Sequence, residues 1–149
     1  MKLSHLDAQG QAKMVDIGDK ARLSRKAVAE GKLFFGQETR DALQAQTLPK
    51  GNPFEVARIA GIQAAKQTEK LIPLCHQLCL DHVDVEIELA DDHFLIKSKV
   101  SCRWSTGVEM EALTAVTVAA LTLYDMCKAV DGNLVLQEIR LLEKTKEAR

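Results

Sequence analysis

The stretch HVDVEIELADDHFLIKSKVSCRW, residues 82–104, decides the fold. Apolar and polar residues alternate at period two from His82 to Leu89 and again from His93 to Trp104, with Asp91-Asp92 as turn chemistry between them. Alternation at that period sends successive side chains to opposite faces, so the segment reads as a β-hairpin with one wet face and one face that needs a cover.

The flanking segments supply helices for that cover. Upstream, GQETRDALQAQT (36–47) carries apolar groups at helical spacing and stops at the breaker cluster Leu48-Pro49-Lys50-Gly51-Asn52-Pro53. FEVARIAGIQAAKQTEKL (54–71) reads as one further helix, closed by Pro73. Downstream, GVEMEALTAVTVAALTLYDMCKAV (107–130) is the longest helix candidate, and NLVLQEIRLLEK (133–144), after Asp131-Gly132, is a last strand. A first strand from the N-terminal third, around Met14–Ile17 or Ala29–Phe35, completes the order. The expectation is an α+β fold of the ferredoxin-like, split βαββαβ kind, with an antiparallel sheet and helices on one face.

Composition sets the class of partner. A chain of 149 residues suits one domain over 1–149, and 46% hydrophobic with 28% charged residues is ordinary for a globular protein. A formal net charge of −1 gives no global attraction to nucleic acid or to an anionic membrane, so any anion site must be local. The N-terminal MKLSHLDAQGQAKMVD lacks the apolar core of a signal peptide, and no uncharged run approaches a bilayer span, which points to a cytoplasmic protein with its four cysteines reduced.

From Ala112 to Tyr124 the long helix carries no formal charge, more apolar surface than one sheet can cover, so a second subunit is expected to cover the rest. At about 100° per residue, Glu111, Thr114, Asp125 and Lys128 fall near one line down this helix. Asp125 and Lys128, three residues apart, form an ordinary surface ion pair or, at the rim of a buried helix, groups with shifted proton affinities suited to acid–base chemistry. LIPLCHQLCLDH (71–82) poses a second choice, since Cys75, His76, Cys79 and His82 are either soft metal ligands or a catalytic histidine among ordinary thiols. Cys102 and Cys127 read as small core hydrophobes.

GNPFEVARIAGIQAAK (51–66), LIPLCHQL (71–78), TGVEMEALTA (106–115) and ALTLYDMCKAVD (120–131), with MVDI (14–17) and RLLEK (140–144), resemble the MoaC family of molybdenum cofactor biosynthesis, the cyclic pyranopterin monophosphate synthases. The resemblance covers almost the whole chain in the family's order. It implies a ferredoxin-like enzyme, assembled as a homohexamer that is a trimer of dimers, with active sites at subunit interfaces. The implied reaction, by a phosphorus–oxygen lyase, converts the purine triphosphate 3',8-cyclo-7,8-dihydroguanosine 5'-triphosphate into cyclic pyranopterin monophosphate and pyrophosphate.

By motif, the resemblance makes Asp125, Lys128 and His76 catalytic. It assigns substrate binding to Leu74, Cys75 and His76 in PLCH, to Met110 and Glu111 in VEME, and to the basic positions Arg25, Lys50, Lys66 and Lys144. These cations suit a triphosphate on chemical grounds, because a chain of this net charge holds one only by converging cations from separate segments. A divalent cation such as Mg²⁺ can accompany the triphosphate. With His76 in the family's motif, the Cys/His cluster is expected to hold no metal, since zinc ligands normally come as two separated pairs. Gln77 in place of the family's usual proline, Asn52-Pro53 after Lys-Gly, Ser105 in place of a basic residue and the tail TKEAR depart from the family's pattern. They keep open an alternative, a nucleotide- or metal-binding relative without turnover.

Overall fold

The structure is a computed structural model and describes residues 4–148. Four strands, β1 (Leu23–Phe34), β2 (His82–Leu89), β3 (His93–Trp104) and β4 (Val135–Glu147), form one sheet in the order β2-β3-β1-β4. Every neighbouring pair is antiparallel. The hairpin expected from the alternation spans β2 and β3 with the expected bounds, closed where Ala90 N donates to His93 O at 2.9 Å.

The covered face of the sheet follows the alternation. Ala27, Ala29 and Leu33 of β1, Val85 of β2, and Phe94, Ile96, Val100 and Cys102 of β3 are buried beneath the helices. The opposite face carries cross-strand ion pairs, Lys99 with Glu86 at 2.9 Å, Arg140 with Glu30 at 2.6 Å and Lys32 with Glu138 at 2.8 Å. These pairs suit a solvated face, where each contributes little to stability.

Two helices form the cover, α2 (Pro53–Lys66) and α4 (Glu109–Cys127), after a short α1 (Gln37–Ala45). Small residues let α2 and α4 approach closely. A Cβ on Gly61 would lie 2.9 Å from the Ala115 carbonyl oxygen and 3.2 Å from the Ala119 Cβ, so only glycine fits that crossing. Asn52 Oδ1 accepts from Phe54 N at 2.9 Å and Pro53 follows as the first helical residue, so the departure Asn52-Pro53 is a capped helix start.

Three expectations change. The helix expected over 54–71 breaks at Gln67 into α2 and a single turn, α3 (Thr68–Leu71). The Thr68 hydroxyl reaches back to the carbonyls of Ala64 and Ala65, at 3.3 and 3.0 Å, and competes with the regular helical pattern there. The first strand begins at Leu23, and Met14–Ile17 is irregular chain. The last strand runs to Glu147, so Thr145, Lys146 and Glu147 of the tail pair with β1.

α4 is long and apolar enough to cross a membrane by length and composition, but ten of its 19 residues are buried within the protein. The sheet and α2 cover two of its sides. Leu121 on α4 remains 56% exposed, and Val56 and Ile59 on α2 remain 48% and 53% exposed, so the helical layer keeps an apolar outer surface.

Candidate active site

The residues singled out in the sequence gather at the two ends of α4. Asp125 lies in its last turn, between two ammonium groups. Lys50 Nζ donates to Asp125 Oδ2 at 2.6 Å, and Lys128 Nζ pairs with Asp125 Oδ1 at 2.9 Å. The i,i+3 spacing made the second contact legible, whereas the first needs the turn at Leu48-Pro49-Lys50-Gly51. There Gly51 N donates to Leu48 O at 3.0 Å, and Gly51 takes φ +86°, a conformation glycine adopts without strain. Hydrogen bonds from Lys50 and then Lys128 hold the Asp125 carboxyl down at about 2, and Asp125 in turn raises Lys128. In the free protein this is an ionised acceptor flanked by two charged donors.

The opposite end of α4 is built differently. After α3 the chain runs without regular structure to β2 and lays Leu74, Cys75 and His76 against Met110 and Glu111 of the first turn of α4. These five residues, with Val15 and Lys20, line a cavity of about 280 Å³. His76 Nε2 donates to the Val15 carbonyl at 2.6 Å, and Ser105 Oγ donates to the Lys20 carbonyl at 2.8 Å, so two side chains fasten the N-terminal segment over the cavity. Ser105 therefore has a structural role of its own. Gln77 is exposed.

Glu111 is 4% exposed, and burial pushes its carboxyl up to about 7, with Glu109 and Glu69 adding to the shift. Burial, and then the Glu111 carboxylate, raise the Cys75 thiol. A carboxyl that titrates near neutrality in a cavity is suited to give and take a proton, a property beyond the binding role expected for Glu111.

Arg25 and Lys144 lie beside this end of α4 in a neighbouring cavity of about 230 Å³, where Lys144 Nζ pairs with Glu109 Oε1 at 3.2 Å. Lys66 is the exposed last residue of α2, which runs antiparallel to α4, and so lies toward the Glu111 end. The four soft ligands of 71–82 do not converge. His76 is engaged with Val15, Cys79 is exposed, and His82 opens β2 on the sheet's solvated face, opposite Ser101.

Glu111 and Asp125 are fourteen residues apart on one helix, a separation of about 20 Å at 1.5 Å per residue. The chain therefore presents two groups, Asp125 with Lys50 and Lys128, and Glu111 with Leu74, Cys75, His76 and Met110, with Arg25 and Lys144 in the neighbouring cavity, whereas Lys66 lines neither cavity. Sequence reading missed Glu109, Lys20 and Lys146 as neighbours of the second group. Lys146, two residues beyond Lys144 and so on the same face of a strand, and Glu109, which shares the first turn of α4 with Glu111, left signals, while Lys20 left none.

Residues 14–147 match the MoaC family. The chain is 54% identical over 145 residues to a "Molybdenum cofactor biosynthesis bifunctional protein" of Chlorobaculum tepidum, covering 97% of this chain and 46% of that protein. It is 52% identical over 145 residues to a "Cyclic pyranopterin monophosphate synthase" of Chloroflexus aurantiacus, covering 96% of this chain and 89% of that protein. It is 49% identical over 146 residues to the human "Molybdenum cofactor biosynthesis protein 1", covering 97% of this chain and 23% of that protein. The chain thus spans less than half the length of the first and third of these relatives, and most of the second.

Proposed function

Because the chain belongs to the MoaC family, we propose that it acts in molybdenum cofactor biosynthesis as a cyclic pyranopterin monophosphate synthase. Its reaction converts 3',8-cyclo-7,8-dihydroguanosine 5'-triphosphate into cyclic pyranopterin monophosphate with release of pyrophosphate. The observation that carries this reading is the 52% identity to a protein of that name over 96% of this chain.

The two groups at the ends of α4 divide the chemistry. Lys50 and Lys128 neutralise phosphate charge as an oxygen attacks the α-phosphorus and pyrophosphate departs. Asp125, ionised between them, accepts a proton or a hydrogen bond from the reacting purine and ribose portion. His76, Cys75, Leu74 and Met110 line the pocket for that portion, with Glu111 poised to exchange a proton near neutral pH. Arg25, Lys66 and Lys144 add cations for the triphosphate.

Proton transfer needs heavy atoms about 2.6–3.2 Å apart, and Asp125 and Glu111 of one chain are separated by most of the length of α4. Each complete site is therefore formed by the Asp125 group of one protomer and the Glu111 group of another, in a homo-oligomer that is a hexamer built as a trimer of dimers. The exposed Val56, Ile59 and Leu121 supply apolar surface for such contacts. The strand order β2-β3-β1-β4, with helices between β1 and β2 and between β3 and β4, supports the ferredoxin-like reading. The enzyme works in the cytoplasm. A divalent cation such as Mg²⁺ would accompany the triphosphate of the substrate and offset part of its charge.

The test is to supply the cyclised dihydro-GTP derivative to the purified protein and follow pyrophosphate and pyranopterin product. Binding of the substrate with no product would place the chain with the non-catalytic alternative.

A further inference from the structure

The cavity beside the first turn of α4 is lined by more positive than negative charge. Its lining includes Arg25, Lys26, Lys144 and Lys146, against one carboxylate, Glu109. In the antiparallel register Arg25 lies directly opposite Lys146, and Ala27 opposite Lys144, so both lysines share the sheet face of Arg25. Like charges directly opposite one another destabilise a strand pair. Glu109 offsets only Lys144, at 3.2 Å, and among the described residues no carboxylate lies within ion-pair distance of Arg25 or Lys146. The Arg25 Nε is buried and finds no hydrogen-bond partner among the described residues. A buried guanidinium nitrogen without an acceptor, beside a like charge on the adjacent strand in a cavity of about 230 Å³, is a local conflict that an anion with several oxygens would relieve.

We propose that Lys146, together with Arg25, forms a subsite for the terminal diphosphate portion of the substrate, and so sets how tightly released pyrophosphate is held. The inference rests on the reading that the substrate is a triphosphate. The guanidinium supplies fixed, planar donors from β1, while Lys146 supplies a mobile point charge from the partner strand. Two cations on adjacent strands suit a diphosphate better than a single phosphate. Lys144, already engaged by Glu109, serves this subsite less than Lys146 does.

The experiment titrates inorganic pyrophosphate, and separately orthophosphate, into the intact oligomer by calorimetry, for the parent chain and for Lys146→Gln, Lys146→Arg and Lys146→Glu. Loss of one charge-assisted contact should weaken pyrophosphate binding about tenfold in Lys146→Gln, and more in Lys146→Glu. Lys146→Arg should recover most of the affinity, and orthophosphate should bind weakly to all four proteins. Inhibition of product formation by pyrophosphate should weaken in the same order. Pyrophosphate affinity equal in the parent and Lys146→Gln, or no binding of pyrophosphate to the parent, would overturn the subsite. A parent that makes no product yet binds pyrophosphate through Lys146 would leave the subsite standing and remove the proposed activity, so the two failures are distinct.

Discussion

Two inactive variants of this chain should restore activity when they share an oligomer, provided their lesions lie at opposite ends of α4. Asp125→Asn removes the carboxylate held by Lys50 and Lys128, and Glu111→Gln removes the carboxyl beside Cys75, about 20 Å away along the same helix. If a site takes its Asp125 group from one protomer and its Glu111 group from another, a site is intact when the first protomer is a Glu111→Gln chain and the second an Asp125→Asn chain. Random assembly of equal amounts satisfies each condition half the time, so about a quarter of the sites, and about a quarter of the parent rate, should return. The assay co-expresses the two variants, purifies the oligomers and measures single-turnover product formation at saturating substrate. A control pair with both lesions in one group, Asp125→Asn with Lys128→Ala, should restore nothing, because every chain then brings a damaged Asp125 group. A mixture of the opposite-end variants no more active than either alone would refute the shared site.

Asp125→Asn by itself should lower turnover by about 100-fold or more while changing substrate binding far less, read from single-turnover rates paired with a binding titration on the same sample. Lys50→Ala and Lys66→Ala should each weaken triphosphate binding and reduce its salt sensitivity without unfolding the chain, as isothermal titration at two salt concentrations will report. Glu111 should make the protein's stability pH-dependent, because its folded carboxyl is raised to about 7 from an ordinary 4.5 and so favours the protonated form. That contribution is fully present below about pH 4.5 and is lost as pH rises through 7, so the fall in Tm across this window should be smaller in Glu111→Gln, measured by calorimetry. Gly61→Val should lower Tm sharply, since the added carbons meet the Ala115 carbonyl and the Ala119 methyl at the α2–α4 crossing. A Tm within 2 °C or so of the parent would mean that the crossing is not close-packed.

Much of the fold was legible because its information is local. Period-two alternation set β2 and β3 to the residue, and the uncharged run from Ala112 to Tyr124 marked a helix that packs on more than one side. Asp125 and Lys128 were legible as a pair for the same reason, being one helical turn apart. The motifs likewise named the members of the candidate site, since a motif records residue types in order. Where the first strand begins was not legible, because LSRKAVAEGKLF mixes charges into both of its faces and becomes a strand only by pairing with β3 and β4. The break at Gln67 turned on one hydroxyl competing for helical carbonyls. Tertiary structure alone decided that Lys50 closes on Asp125 across 75 positions of sequence, that the Val15 carbonyl holds His76, and that Lys146 faces Arg25. It also separated one set of motif residues into two groups, at the two ends of a single helix. The physical reason is that hydrogen bonds and charges act over a few ångströms in space, and for residues far apart in sequence only the folded chain sets that distance.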